Sequence, residues 1–269
     1  AKLPAAERGH WTRDVVFSKD GKTMFVAVGS ATNVAADMPQ LDDEALKKWI
    51  AEHPLGAAWG AEEERAVVLA FDPDGKNRRI HATGIRNCSG MTIDPSNGDL
   101  WCATNERDLL GDDLPPDYLT RVKQGGFYGW PWYYIGANED KRPKNARPDL
   151  KDKVTVPDVL LQSHVAPLQL LVYDGNHFPA EYKGQVFAAL HGSWNRAQRR
   201  GYKIVRAVMK DGVPTGEFED FVTGFVVNDK TVWGRPVGLT VAKDGSLLFS
   251  EDGNGTIWRI SHTLRESAR

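Results

Sequence analysis

Cysteine is scarce in this chain. Cys88 and Cys102 are the two among 269 residues, so at most one disulfide can form. They fall on opposite arms of one expected hairpin, which permits contact. The register does not set them clearly opposite, and a pair of buried thiols reads at least as well, so cysteine leaves the redox compartment open. Net charge is small too. Lys plus Arg total 34 against 36 Asp plus Glu, a formal charge of -2 at pH 7, and no basic footprint for nucleic acid results. No apolar run approaches the length of a membrane-spanning helix. There is no G-x-x-x-x-G-K-[ST] phosphate loop, no G-x-S-x-G nucleophile elbow, no zinc-spaced Cys or His pair and no C-x-x-C-H haem site. These absences remove most nucleophile and cofactor classes. No secretory signal opens the chain, which starts at Ala1 rather than Met. An N-terminal portion is therefore expected to have been processed or lost.

What the chain does have is nine Trp and 26 Gly. Glycine suits tight turns, and large rings fill the interfaces between sheets. Strand–turn–strand units recur. Val15–Phe17 leads through Asp20-Gly21 into Met24–Val28, Met91–Ile93 through Asn97-Gly98 into Leu100–Ala103, and Leu239–Val241 through Asp244-Gly245 into Leu247–Ser250. Each is a hairpin signature. Further pairs are expected at Val67–Asp72 with Ile80–Thr83, Leu170–Tyr173 with Val186–Leu190, and Tyr202–Ala207 with Phe218–Thr223. They group into about four units, roughly 10–85, 86–150, 160–225 and 235–262. That spacing predicts an all-β fold, a β-propeller of four-stranded antiparallel blades, with residues 1–269 as a single domain. One helix is expected as an insertion near 41–53. Asp42-Asp43-Glu44 stand at its start, Leu41, Leu46, Trp49 and Ile50 form its apolar stripe, and Pro54 follows its end. The stretch from Asn138 to Lys153 reads as polar surface loop.

The stretch from Arg86 to Pro131 carries the chemistry. Asn105-Glu106-Arg107-Asp108, Gly111-Asp112-Asp113 and Pro115-Pro116-Asp117 bring carboxylates and irregular backbone to one edge of a sheet. Carbonyls and carboxylates suit a hard divalent cation, and arginines at the same edge suit an anion. A polar loop with surface ion pairs is the other reading. Arg86, Arg196 and Arg235 hold comparable points in their units, and equivalent points in a radial repeat converge on its axis. They converge on an anion or form separate surface pairs. His10, just before the first strand, is placed as a general base or as a structural histidine. His164 and His191 face the same channel or pack beside a Trp. His53, His81, His177 and His262 read as loop or surface residues.

At these residues the sequence resembles the soluble quinoprotein sugar dehydrogenases, in their sorbosone dehydrogenase-like branch. The shared residues run along most of the chain: His10-Trp11-Thr12-Arg13, Val28-Gly29-Ser30 with Asn33-Val34, Arg86-Asn87, Asn105-Glu106-Arg107-Asp108, Gly111-Asp112-Asp113-Leu114, Pro116 to Thr120, Gly126 to Pro131, His191 to Arg196, Gly201-Tyr202-Lys203 and Gly234 to Gly238.

The resemblance implies a six-bladed propeller carrying pyrroloquinoline quinone (PQQ) and Ca²⁺ at its mouth. Since about four blades are visible here, about two N-terminal blades are expected to be absent from this chain. By the same resemblance His10 is the base that takes the proton from the substrate hydroxyl as hydride moves to the quinone. Arg86, Asn87 and Arg235 hold the quinone, with Arg196 as a further carboxylate partner. The backbone carbonyls of Glu106 and Arg107 ligate the calcium, with Asp108 and Asp112 close behind. Ser30 stands where the glucose-oxidising branch has an acid, and it is placed with His164 at the substrate. The implied enzyme oxidises an aldose or sugar aldehyde such as sorbosone, passes electrons to a cytochrome or other acceptor, and works in the periplasm. Two rival readings are a Ca²⁺-dependent propeller hydrolase of the lactonase type and a non-enzymatic propeller that binds its ligand on the same face.

Overall fold

The computed structural model describes residues 3–4, 9–10 and 12–263. Trp11, part of the first motif above, lies outside them. Four antiparallel sheets follow one another along the chain. The first is β1 (Thr12–Phe17), β2 (Met24–Val28), β3 (Val67–Phe71) and β4 (Arg79–Thr83), paired in that order. The second takes β5 (Cys88–Ile93), β6 (Leu100–Thr104) and β7 (Pro116–Arg121), then a small hairpin of β8 (Tyr133–Tyr134) and β9 (Asn138–Glu139) intervenes before β10 (Val159–Ser163) closes it against β7. The third is β11 (Pro167–Val172), β12 (Val186–Leu190), β13 (Lys203–Lys210) and β14 (Val213–Val222). A second small hairpin, β15 (Val226–Asn228) with β16 (Thr231–Val232), precedes the three-stranded sheet of β17 (Pro236–Val241), β18 (Leu247–Glu251) and β19 (Thr256–Ile260).

The first strands of successive sheets are neighbours: β1 meets β5, β5 meets β11, and β11 meets β17. This is the radial order of propeller blades. Composition along each sheet follows from it. Second strands are sandwiched between two other sheets or flanking segments, so β6 (LWCAT) and β12 (VFAAL) are buried at every position. The last strand of the third sheet, β14 (VPTGEFEDFV), has no fully buried residue and is rich in polar side chains. All three expected hairpins form, as β1–β2, β5–β6 and β17–β18. Gly98 and Gly245 take φ values of 85° in their turns, the left-handed region open to glycine without a Cβ clash.

Core clusters lie between sheets. Phe25, Val68, Met91 and Leu100 join the first to the second. Trp101, Leu119, Leu170, Ala188 and Val205 join the second to the third. Tyr173, Phe187, Ile204, Leu247 and Phe249 join the third to the fourth. Cys88 and Cys102 form a disulfide, with Cα atoms 5.8 Å apart. A bulge between Cys88 and Gly90 shifts the register, which is the irregularity that an ideal hairpin could not anticipate.

Three expectations need correction. The second unit does not end near 150, because Val159–Ser163 is its outer strand. The break falls at His164 and Ala166, whose φ values of 60° and 52° turn the chain out of the strand. The segment 138–153 is not merely surface loop. It ends in a short 3-10 helix, Pro148–Lys153, with Leu150 fully buried, and the Arg147 guanidinium lies over the Trp132 ring at 5.2 Å. His81 sits within β4, edge-on to Phe25 at 4.9 Å, with Nε2 on the Val122 carbonyl at 3.2 Å. The expected helix does form as α1 (Asp43–Glu52), capped by Asp42, whose carboxylate accepts from Ala45 N–H at 2.8 Å. Leu41, Leu46 and Trp49 pack inward, but Ile50 is exposed.

Two outcomes follow. Phe187 is fully buried against Tyr173 and Phe221. Phe187→Ala should cost about 3–5 kcal/mol in urea unfolding. Burial holds the His81 imidazole below its ordinary 6.5. The unfolded chain then binds more protons than the folded one in the window beneath that value, so stability is lost as pH falls through it. The unfolding midpoint should drop from about pH 7.5 to about pH 5.5 more in the parent than in His81→Gln.

Candidate active site

The ends of the first three sheets converge on a cavity of about 240 Å³. Its walls come from the segment before β1 (His10), the entry to β5 (Arg86, Asn87), the exit of β6 (Asn105, Glu106, Asp108), the start of β7 (Asp117) and the turn between β10 and β11 (His164, Ala166). Trp194 and Asn195 close it from the loop after β12.

His10 is held by Ser30. Its Nδ1 lies 2.9 Å from Ser30 Oγ and 3.1 Å from the Ser30 carbonyl, while its backbone N–H donates to that same carbonyl at 2.9 Å. Ser30 Oγ–H donates to the Thr32 carbonyl at 2.6 Å. The hydroxyl therefore has only lone pairs left for the ring, and a carbonyl can only accept. Both partners call for a proton on Nδ1, so the neutral ring carries its lone pair on Nε2. Gly29 permits this approach, since a Cβ there would stand 2.8 Å from Asn87 Oδ1 and closer still to His10. Ser30 itself is fully buried and does not line the cavity. Its expected contact with substrate gives way to a role in holding His10.

Arg86 is 4% exposed. Nη1 donates to the Glu106 carbonyl at 2.8 Å and the Asn105 carbonyl at 3.2 Å, Nη2 to Asn33 Oδ1 at 2.8 Å, and Nε to the Asn33 carbonyl at 3.2 Å. Burial lowers its pKa, against the pull of Glu106 and Asp108. Arginine keeps its charge regardless.

Asp117 braces the far wall, accepting from Glu106 N–H at 2.8 Å and Ala166 N–H at 2.9 Å. Burial pushes Asp117 up to about 6 and Glu106 up to about 8. Burial also acts to raise Asp108, but His164, Arg86 and Asn195 outweigh it and hold that carboxyl below its usual range. Its Oδ1 accepts from Asn195 Nδ2 at 2.7 Å and stands 3.5 Å from His164 Nδ1. His164 Nε2 meets the Gly111 carbonyl at 2.9 Å. The Asp108 bond, helped by Gly111, raises its pKa against burial.

Among the expected site residues, His10, Arg86, Asn87, Glu106, Asp108 and His164 share the cavity. Arg107, expected to act through its backbone carbonyl, is not among the residues lining it, and its side chain is buried with Nη1 on Asp140 at 2.6 Å and Nε on the Asp108 carbonyl at 2.9 Å. The three arginines do not converge. Arg196 turns away to the carbonyls of Asp112 and Ser163 and to Asp113 Oδ1 at 2.9 Å. Trp194 and Asn195 face the cavity, and the chain then turns so that Arg196 meets the loop at 112–113. Arg235 donates to the carbonyls of His191 and Gly192 at 3.3 Å and lies over Tyr202 at 5.6 Å, outside the cavity lining. His191 pairs with Asp252 at 2.9 Å, so it too stands apart.

Asn33 and Asn195 stand within the motifs with no expected role of their own, and Asp117 stands there only as one of the carboxylates at the sheet edge. Glu62 and Arg65 escaped notice altogether, because the run Glu62-Glu63-Glu64-Arg65 resembles a solvated charge cluster. Yet Glu62 is 1% and Arg65 4% exposed.

Two buried amide oxygens in the cavity wall, Asn87 Oδ1 and Asn195 Oδ1, have no hydrogen-bond partner. Buried polar atoms are rarely left so. Among the described residues, no group of three or more His, Cys, Asp or Glu side chains could hold a metal ion.

This antiparallel blade architecture is shared with PQQ-dependent sugar dehydrogenases of known structure. The chain belongs to the glucose/sorbosone dehydrogenase family, whose sequence model matches residues 1–208. An uncharacterised protein of Borreliella burgdorferi is 35% identical over 209 residues, 74% of this chain and 52% of that protein. A pyrroloquinoline quinone-dependent pyranose dehydrogenase of Coprinopsis cinerea is 31% identical over 125 residues, 39% of this chain and 16% of the enzyme. The chain thus matches about half the length of the first relative and far less of the second. The holo PQQ domain of a Coprinopsis cinerea pyranose dehydrogenase shares the fold, with a TM-score of 0.69 at 22% identity over 94% of this chain and 70% of that one.

The brace on the far wall can be measured directly. Asp117→Ala strips an acceptor from two buried N–H groups. Each orphan costs about 1–3 kcal/mol, so the variant should unfold at visibly lower denaturant. An unchanged midpoint would show that Asp117 braces nothing.

Proposed function

We propose that this cavity is the active site of a quinoprotein that oxidises an aldose or sugar aldehyde, within a single propeller domain. The observation that carries the reading is the company His10 keeps. A histidine with its lone pair on Nε2 shares a wall with a buried guanidinium and two unpartnered amide oxygens. Such a wall suits an anion bearing its own hydrogen-bond donors.

PQQ, a quinone with several carboxylates and a pyrrole N–H donor, answers that description. Arg86 and Asn87 would hold it, with His164 and Asn195 as further partners. Arg196 and Arg235 are too engaged elsewhere to be assigned to it. For Ca²⁺, the oxygen donors would be the Glu106 and Arg107 carbonyls and the Asp108 carboxylate. The Glu106 carbonyl already accepts from Arg86 Nη1 at 2.8 Å. An anion that drew this nitrogen away would release the oxygen, so quinone and Ca²⁺ should each strengthen binding of the other.

When bound, the pair supplies an electron acceptor polarised by a Lewis acid. The chain's own part is narrower. His10 Nε2 accepts the proton of the sugar hydroxyl, while Ser30 keeps Nδ1 protonated and the ring in place. Trp194, 79% exposed at the rim, offers an apolar face to the sugar.

The Cys88–Cys102 disulfide supports an oxidising compartment such as the periplasm. Among the described residues no helix is long and apolar enough to cross a membrane. The electron acceptor would be a cytochrome or similar carrier.

Titration with PQQ, with and without Ca²⁺, tests the reading through the quinone absorbance. Binding should tighten when Ca²⁺ is present and weaken at least tenfold in Arg86→Ala. Dye reduction with an aldose panel should fall by about 10²–10⁴ in kcat for His10→Gln, with quinone binding retained. Failure of the folded protein to perturb the quinone spectrum would end the proposal.

A further inference from the structure

We propose that Glu62 and Arg65, which do not line the cavity, are positioning residues that set the tautomer and placement of His10. This rests on the reading of His10 as the base. Both charges are nearly sealed from water, where an unsatisfied ion is strongly disfavoured. Both are directed at the short segment that holds His10.

The bonds form two converging sets. Glu62 Oε2 accepts from Ala31 N–H at 2.7 Å, and Oε1 from Thr32 Oγ1 at 2.6 Å. Thr32, its hydroxyl proton committed to Glu62, accepts from Ala35 N–H at 2.9 Å. The Thr32 carbonyl takes the Ser30 hydroxyl proton at 2.6 Å, and Ser30 Oγ faces His10 Nδ1 at 2.9 Å. Glu62 thus orients a relay whose last member presents only lone pairs to the imidazole.

Arg65 works from the other side. Nη2 donates to the His10 carbonyl at 2.6 Å and to the Ser30 carbonyl at 3.2 Å, and Nε donates to the Gly29 carbonyl at 2.8 Å. One guanidinium therefore joins the backbone of His10 to the segment that carries Ser30. The planar, forked donor set of arginine suits several carbonyls at once, which a lysine ammonium would serve less well. Ser30 N–H also donates to the Arg86 carbonyl at 2.8 Å, so this segment ties the proton-accepting ring to the anion-holding side of the cavity.

A purely structural role for the pair would leave the ring's protonation pattern alone, and this separates the two accounts. Ring ¹⁵N NMR of histidine-labelled protein, with His10 assigned among seven histidines by its loss in His10→Gln, reads the tautomer without activity or cofactor. The parent should show the Nδ1–H form near neutral pH. Glu62→Ala and Arg65→Ala should raise the Nε2–H fraction at least threefold. The milder Glu62→Gln and Arg65→Lys, which keep the fold if the alanine variants do not, should show a smaller shift in the same direction. In quinone-loaded protein, kcat should fall at least tenfold with KM within threefold, and Arg65→Lys should recover part of the loss. An unchanged Nδ1–H signature in folded Glu62→Gln and Arg65→Lys would overturn the proposal. A shifted tautomer in a protein that oxidises no sugar would leave it standing and remove the enzymatic reading instead.

Discussion

Arg86 keeps a full positive charge in a place almost closed to water, and the geometry of this end of the molecule follows from satisfying it. The guanidinium draws its partners from two sheets: Asn33 from the segment after β2, and the Asn105 and Glu106 carbonyls from the exit of β6. Those carbonyls are available because the chain leaves the ladder at Thr104 and runs irregularly to Pro116. Regular pairing would have consumed them. A buried cation that must find oxygen atoms and a backbone that must dispose of unpaired carbonyls answer each other.

Around that charge the acids take different states through their surroundings. Glu106 is sealed and rises to about 8, whereas Asp108, with a histidine, an asparagine and the guanidinium beside it, stays low. Two side chains of similar chemistry, two residues apart, are therefore shifted in opposite directions. The wall is neither strongly basic nor strongly acidic, and one of its faces can meet an anion while a neighbouring one offers oxygen. The disulfide and the fully buried β6 supply the stiffness behind this arrangement, since Asn87 and Asn105 continue from the two strands that the disulfide joins.

Much of the fold was legible because it is local. Asn97-Gly98 and Asp244-Gly245 announce their hairpins, the apolar run of β12 requires cover on both faces, and Asp42 announces a helix start. The outer strand β10 is absent from the strands the sequence leads one to expect, because its partner β7 lies across the long 122–158 connection, and no local pattern encodes which edge a returning strand will choose. The site was half legible. Arg86, Asn87, Glu106, Asp108 and His10 could be named from their motifs. Arg196 and Arg235 were misplaced because an arginine side chain is long enough to turn either way from the same backbone position. In this protein the nearest oxygen atoms decided the direction.

Composition and pattern alone determined that short strands would pair into antiparallel sheets, and which residues would arrive at the loop-bearing edge. Hydrophobic alternation and turn chemistry act over a few residues, so they can be read in order. Tertiary structure decided everything that depends on distance across the fold: that Ser30 is buried against His10 rather than open to the cavity, that Glu62 and Arg65 stand behind it, and that one arginine of three enters the cavity. Hydrogen bonds form where donors and acceptors meet in space, and the separation of twenty residues between His10 and Ser30, or of fifty-five between His10 and Arg65, carries no trace of that meeting until the sheets have packed.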